Sequence, residues 1–202
     1  MNVLAIVGSP RKGKATDILV DKAIEGIRSL DPDCDIKKIH ITDHNIQYCR
    51  NCLICRDSKT DGPLAKCSIR DDMDVIQDYV LHSDVLIFGT PVHSGHVTAP
   101  MATFLERISW THAKPTGHFM TIKGLPVPRS DKRRKACIIV VSGVVPPLFK
   151  RFCNDATPFI KDVISWSINA KTVVTLYAGN IEQRGVGYYF DQAFTLGKNL
   201  IS

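Results

Sequence analysis

Three cysteines fall within seven residues, Cys49-Arg50-Asn51-Cys52-Leu53-Ile54-Cys55, and no other stretch of the chain concentrates so much reactive chemistry. Two overlapping Cys-x-x-Cys units put three thiolates on one short turn, as in the ferredoxin run, and a cubane iron–sulfur cluster needs a fourth ligand. Cys67, separated from Cys55 by an eleven-residue gap, is the candidate for that ligand. Tetrahedral zinc more often joins two separated Cys-x-x-Cys knuckles, which argues against zinc. A metal-free loop with free or reversibly paired thiols is the remaining alternative. Cys34, Cys137 and Cys153 stand in ordinary helix-end, strand and helix contexts and read as packing residues.

A second constellation occupies the N-terminus. The apolar run Val3 to Val7 breaks into Gly8-Ser9-Pro10-Arg11-Lys12-Gly13-Lys14-Ala15-Thr16, and Ile18, Leu19, Ala23, Ile24 and Ile27 then recur at helical spacing. A strand, a tight loop and a helix start gather backbone N–H groups where the helix dipole favours an anion. Ser9 and Thr16 add hydroxyls, and Arg11 can grip a phosphate with two parallel bonds. Neither the nucleoside-triphosphate loop nor Gly-x-Gly-x-x-Gly is present. The bland alternative is an ordinary strand-to-helix turn with Thr16 as the cap.

The elements that must position these groups follow in order. The first helix should end near Leu30, and a short strand should cover about 35–41. The stretch from Thr42 to Ile69 has no sustained periodicity and is far longer than a usual connection of roughly 4–6 residues, so it should carry function or mobility. Asp71-Asp72-Met73-Asp74 should cap and open a helix to about Leu81. Asp84 to Gly89 reads as a buried parallel strand feeding the loop Thr90 to Val97, with a helix behind it at Met101, Phe104, Leu105 and Ile108. A polar insertion at about 111–135 precedes a strand over 136–141 that ends in Ser142-Gly143. A helix at roughly 148–167, a strand at 172–176 and a helix at about 187–200 complete an alternating order. That order implies an α/β fold, a doubly wound three-layer sandwich.

These residues together carry a resemblance. Gly8-Ser9-Pro10-Arg11-Lys12, Cys49-x-x-Cys52-x-x-Cys55 with Cys67, Asp71-Asp72-Met73, and Gly89-Thr90-Pro91-Val92 leading to Phe104-Leu105-Glu106-Arg107 resemble the iron–sulfur flavoprotein branch of the NADPH-dependent FMN reductase family. The resemblance implies a flavodoxin-like, five-stranded parallel sheet of order 2-1-3-4-5, with FMN at the carboxyl ends of the strands beside the switch point. It implies that Ser9, Arg11 and Thr16, with Lys14 in the same loop, bind the FMN phosphate. Pro91, Val92, His93, Ser94, Gly95 and His96 would line the isoalloxazine, joined by Ser142 and Gly143. The family usually has an aromatic at the position of His93, where an imidazole would change the polarity around the flavin. The expected function is that of an FMN-dependent oxidoreductase passing electrons between a reduced donor such as NAD(P)H, FMN and a [4Fe-4S] cluster held by Cys49, Cys52, Cys55 and Cys67. A cluster-free NAD(P)H-dependent FMN or quinone reductase is the alternative. The resemblance also implies a homodimer or homotetramer and a redox partner or small-molecule electron acceptor.

Composition bounds the rest. A chain of 202 residues, 44% hydrophobic and 23% charged, suffices for one α/β domain spanning 1–202. No apolar run reaches the roughly 18 residues of a membrane span, and there is no basic leader, so a cytoplasmic protein with no membrane contact is expected. A net charge of +6 permits nucleic-acid binding, with Lys123, Arg129 and Lys132 to Lys135 as the basic residues. No stacking aromatics interleave with them, and the run reads as a solvated loop.

Overall fold

The computed structural model describes residues 1–202. Its elements are β1 (Asn2–Val7), α1 (Ala15–Arg28), β2 (Asp35–His40), α2 (Met73–His82), β3 (Val85–Pro91), α3 (Ala99–His112), β4 (Ala113–Phe119), β5 (Ile122–Pro128), β6 (Arg134–Val141), α4 (Lys150–Cys153), α5 (Ala156–Ile168), β7 (Ala170–Ala178), α6 (Ile181–Arg184) and α7 (Phe190–Ile201). Five strands form one parallel sheet in the order β2-β1-β3-β6-β7. Counting only these strands, the order is the 2-1-3-4-5 arrangement expected of a flavodoxin-like fold.

The central strands are apolar over most of their length because helices cover both faces. Alternation sorts them: Leu4, Ile6, Leu86, Phe88, Ile138 and Val140 pack under α2, α3 and α5. Their neighbours Val3, Ala5, Ile87, Cys137 and Ile139 pack under α1 and α7. Phe88 and Phe104 are fully buried, and truncating either to alanine should cost about 3–5 kcal/mol. Cys34 and Cys137 pack as expected, whereas Cys153 is half-buried at the end of the four-residue α4.

Several local expectations shift. Lys14, not Thr16, occupies the N-cap of α1, and Thr16 is the second residue of its first turn. Asp71 does accept from the Met73 N–H at 3.1 Å, yet its main partner is the distant Arg107. The helix anticipated over 148–167 breaks at Asn154 and Asp155, where the Asp155 N–H donates to the Gly95 carbonyl at 2.8 Å. The polar insertion is narrower than its composition indicates. Thr111 and His112 finish α3, Arg134 and Lys135 start β6, and the residues between carry the antiparallel hairpin β4–β5 with two register irregularities. Its prolines and glycines mask the strand pattern in the sequence.

Candidate functional site

The loops after β1, β3 and β6 leave adjacent strands at one edge of the sheet and are stitched together. Gly8 N–H donates to the Gly89 carbonyl at 2.8 Å, Thr98 Oγ1 donates to the Gly8 carbonyl at 2.7 Å, and Val92 N–H donates to the Val141 carbonyl at 2.8 Å. Gly8 is required by close approach, since a Cβ there would stand 2.9 Å from Met101 Cβ at the start of α3. All twelve residues named as cofactor candidates therefore share one edge.

The first loop leaves donors free. Arg11 N–H is taken by Ser9 Oγ at 3.2 Å and Gly13 N–H by Asp17 Oδ2 at 2.7 Å. The N–H groups of Lys12, Lys14, Ala15 and Thr16 find no acceptor within the chain, nor does the hydroxyl of the buried Thr16. Lys12 is paired with Asp43 at 2.6 Å, while the exposed Arg11 and Lys14 have no partner. Unpaired N–H groups at the start of a fourteen-residue helix, beside a free guanidinium, make an anion cradle. Asp17 shapes it, and sequence reasoning missed that residue because it reads as an ordinary first-turn acid. It is buried, bonded to His40 Nε2 at 2.8 Å and ion-paired with Lys38. Burial pushes its carboxyl up, but Lys38, the Gly13 N–H and His40 more than offset this and hold it below the usual carboxylate range.

The second loop is a tight turn. His93 and His96 exchange both backbone hydrogen bonds at 2.9 Å, with Ser94 at φ 51° and Gly95 at φ 82° between them. Two consecutive positive φ values are the pattern of a type I′ turn, and the space around Gly95 is open. His96 leans on Phe159 of α5, ring centroids 4.7 Å apart, while His93 is exposed. In the third loop Ser142 is buried and its Oγ accepts from Val145 N–H at 3.3 Å. Gly143 lies against Glu182.

The cysteine segment leaves the same edge after β2 and is held from a distance. Arg107 and Asp71 form a bidentate pair at 2.6 and 2.9 Å, with side chains only 1% and 0% exposed. Gln47 N–H donates to Asp71 at 2.8 Å, and Arg107 Nη1 donates to the Gln47 carbonyl at 2.7 Å, so one pair clamps both ends of the segment. Arg129, beyond β5, donates to the carbonyls of Cys55 at 3.0 Å, Ser58 at 3.3 Å, Thr60 at 3.2 Å and Ala113 at 2.9 Å. The sequence grouped Arg129 with a solvated basic run; it is instead a strut. Arg56 caps the Trp110 ring at 5.4 Å. A cavity of about 410 Å³ between the segment and α3 and α5 is lined by Cys49, Trp110, Phe159 and Trp166.

Within the segment, Cys49 and Cys52 are exposed and Cys55 and Cys67 half-buried. Cys52 Sγ lies 3.1 Å from Ser68 Oγ, and that hydrogen bond lowers the thiol's pKa. Burial, then Cys67 and Cys49, push the Cys55 thiol up. Cys67 stands beside the Arg107 guanidinium, whose buried Nε–H has no acceptor. Four soft thiol donors and an orphaned N–H beside one of them fit the chemistry of an iron–sulfur cluster. No three His, Cys, Asp or Glu side chains, however, stand close enough to hold a metal ion.

A doubly wound sheet with its loops gathered beside the switch point defines a flavodoxin-like protein. The chain belongs to the NADPH-dependent FMN reductase family, whose model matches residues 1–128. It is 34% identical over 149 residues to an iron-sulfur flavoprotein of Archaeoglobus fulgidus, covering 73% of this chain and 57% of that one. It is 32% identical over 108 residues to an iron-sulfur flavoprotein of Clostridioides difficile, covering 53% and 45%. The chain thus spans about half the length of these curated relatives. Among solved structures, the FMN-dependent NADH-azoreductase of Bacillus anthracis in complex with FMN superposes with a TM-score of 0.69 at 13% identity, over 98% of this chain and 96% of that one. The NAD(P)H:quinone oxidoreductase of Methanothermobacter marburgensis gives 0.68 at 14% identity, over 100% and 98%. At such identities these two likenesses establish the fold. No helix is long and apolar enough to cross a membrane.

Proposed function

We propose that this protein is an FMN-dependent oxidoreductase that takes electrons from a reduced donor such as NAD(P)H and passes them on through a cluster held by its cysteine segment. The observation that carries the FMN reading is the set of unpaired N–H groups at the start of α1 beside the free Arg11. Bound FMN would supply exchange of two electrons or one, and a [4Fe-4S] cluster exchange of one.

The chain's own residues bind and orient. Ser9, Arg11, Lys14 and Thr16 would hold the phosphate, with Arg11 offering a bidentate contact and the α1 dipole adding to it. The turn from Pro91 to His96 would set the ring plane, with His96 braced by Phe159 and the exposed His93 able to donate a ring N–H to the flavin edge. Ser142 and Gly143 would close the third side. Cys49, Cys52, Cys55 and Cys67 would hold iron, on a segment whose ends Arg107 and Asp71 fix.

The dispersed thiols favour one second reading, a cluster-free FMN or quinone reductase. Anaerobic purification followed by an absorption spectrum and iron and sulfide analysis decides between them. About four iron and four sulfide per chain support the first reading, and flavin without iron supports the second. We also infer a homo-oligomer, since Phe119, Met120 and Ile122 expose apolar surface at the tip of the hairpin β4–β5. A monomer mass by light scattering at micromolar concentration would refute this.

A further inference from the structure

The opposite edge of the sheet holds a cavity of about 660 Å³ of a different character. It is walled by Arg133, Arg134, Lys135, Lys161 and Lys171, with no carboxylate among its lining residues. These five cations account for nearly all of the chain's +6 surplus, so the remaining charges of the protein almost balance. The lining itself carries five positive charges and no negative one.

Its floor is a fixed charge. Arg134 is only 2% exposed and spends its N–H groups on the carbonyls of Val80, Leu81, Lys132 and Ile168, at 2.7 to 3.2 Å. It thereby neutralises the negative ends of α2 and α5, which would otherwise repel an anion here. Lys135 is occupied by the backbone oxygen of Ser202 at 2.9 Å. Arg133, Lys161 and Lys171 are exposed and have neither an acid nor a hydrogen-bond partner. Three uncompensated cations around one concavity repel each other, and an anion bound between them relieves that repulsion. Ser165, Asn169 and Thr172 add polar groups to the wall, and Thr172 Oγ1 is buried without a partner. A register shift in β7 just after Thr172 turns the chain there.

We propose that this cavity is a second anion site, which takes a compact polyanion of linked phosphate groups. Three free cations match several anionic groups in a row. The volume lies within the range of about 300–1,000 Å³ usual for small-ligand sites. Ala170 is the one hydrophobic lining residue and no aromatic is present, so the wall offers nothing on which a base could stack. The site reads the phosphate chain alone. It lies at the start of β6, about 23 Å from the loop at that strand's other end, so its ligand takes no part in chemistry at the flavin edge. The inference stands independently of the proposed redox function.

The test is calorimetric titration of the full-length protein with inorganic tripolyphosphate at low and at raised salt, with thermal unfolding followed in parallel. Saturable binding that weakens steeply with salt is expected. The neutral double variant Lys161→Gln/Lys171→Gln should raise Kd by about tenfold or more, and Lys161→Glu/Lys171→Glu should abolish binding. Both variants should keep wild-type FMN affinity, and circular dichroism checks that they fold. ATP should bind no more than tenfold tighter than tripolyphosphate, because the base has no partner. The proposal is overturned if the neutral variant binds as wild type does. It is equally overturned if sodium sulfate at equal ionic strength gives the same thermal shift, or if ATP binds far more tightly than the bare phosphate chain.

Discussion

The loop after β1 and the segment after β2 leave the same edge of one sheet, and both are irregular, but they are held in opposite ways. Beyond its base at Gly8, which Gly89 and Thr98 hold, and apart from Lys12 on Asp43, the first is organised by its own neighbours: Ser9 bonds Arg11, Asp17 bonds Gly13, and Ile18 N–H reaches the Lys14 carbonyl, all within a few residues. The cysteine segment is held by Asp71, Arg107 and Arg129, residues 24 to 74 positions away from the groups they bind. A loop closed by local bonds forms whenever its helix forms. A loop closed by distant ones is only as well ordered as the tertiary structure that supplies its anchors.

The largest test removes an anchor. Arg107→Leu leaves Asp71 buried without its cation, and breaking such a pair costs about 3–5 kcal/mol. Urea unfolding should show that loss, and hydrogen exchange should rise from Gln47 to Ile69 while the bonded Arg11 and Gly13 N–H groups of the first loop keep their exchange rates. Equal loss of protection in both regions would erase the contrast. FMN affinity offers the complementary test. Arg11→Ala should weaken FMN by roughly 1.5–3 kcal/mol, a factor of about ten to a hundred and fifty, and leave riboflavin affinity and urea stability unchanged. If riboflavin weakened as much as FMN, the phosphate role of Arg11 would be wrong.

Acid should separate the two regions as well. His112, at the end of α3, is fully buried, and burial followed by the nearby Arg134 lowers its pKa to about 3. Its carbonyl receives the Arg129 N–H at 2.7 Å, next to the strut of the cysteine segment. The unfolded chain protonates this imidazole below pH 6.5 and the folded one does not, so stability falls as the pH drops from 6.5 toward 3. The loss should be about 2 kcal/mol at pH 5 relative to pH 7. The lowered carboxyls of Asp17 and Asp71 work in a different window, contributing stability that is lost only as the pH falls below about 4. His112→Gln should flatten the profile between pH 5 and 7; an unchanged slope would assign it to another group. Cys52→Ala should shift stability by no more than about 0.5 kcal/mol, because that side chain is exposed. Iron content should nonetheless fall sharply while FMN stays bound. Equal iron in wild type and variant would favour the cluster-free reading.

Much of this protein was determined by sequence alone, because the signals are local. Unbroken apolar runs specify strands covered on both faces, and the glycine-rich turn before a helical period specifies where N–H groups collect. The order of elements then leaves few topologies, and the observed sheet is the expected one. Tertiary structure decided the rest, since it depends on which distant groups meet. Asp71 reads as a helix cap until Arg107 arrives from another helix, and Arg129 and Arg134 read as solvated charge until backbone carbonyls from separate elements converge on them. Nor does a single residue's pattern announce that Lys161 and Lys171, ten positions apart and on different elements, face one cavity with Arg133. Buried cations and cavities are properties of packing: desolvation and the shortage of alternative partners select them, and neither is encoded in any short window of sequence.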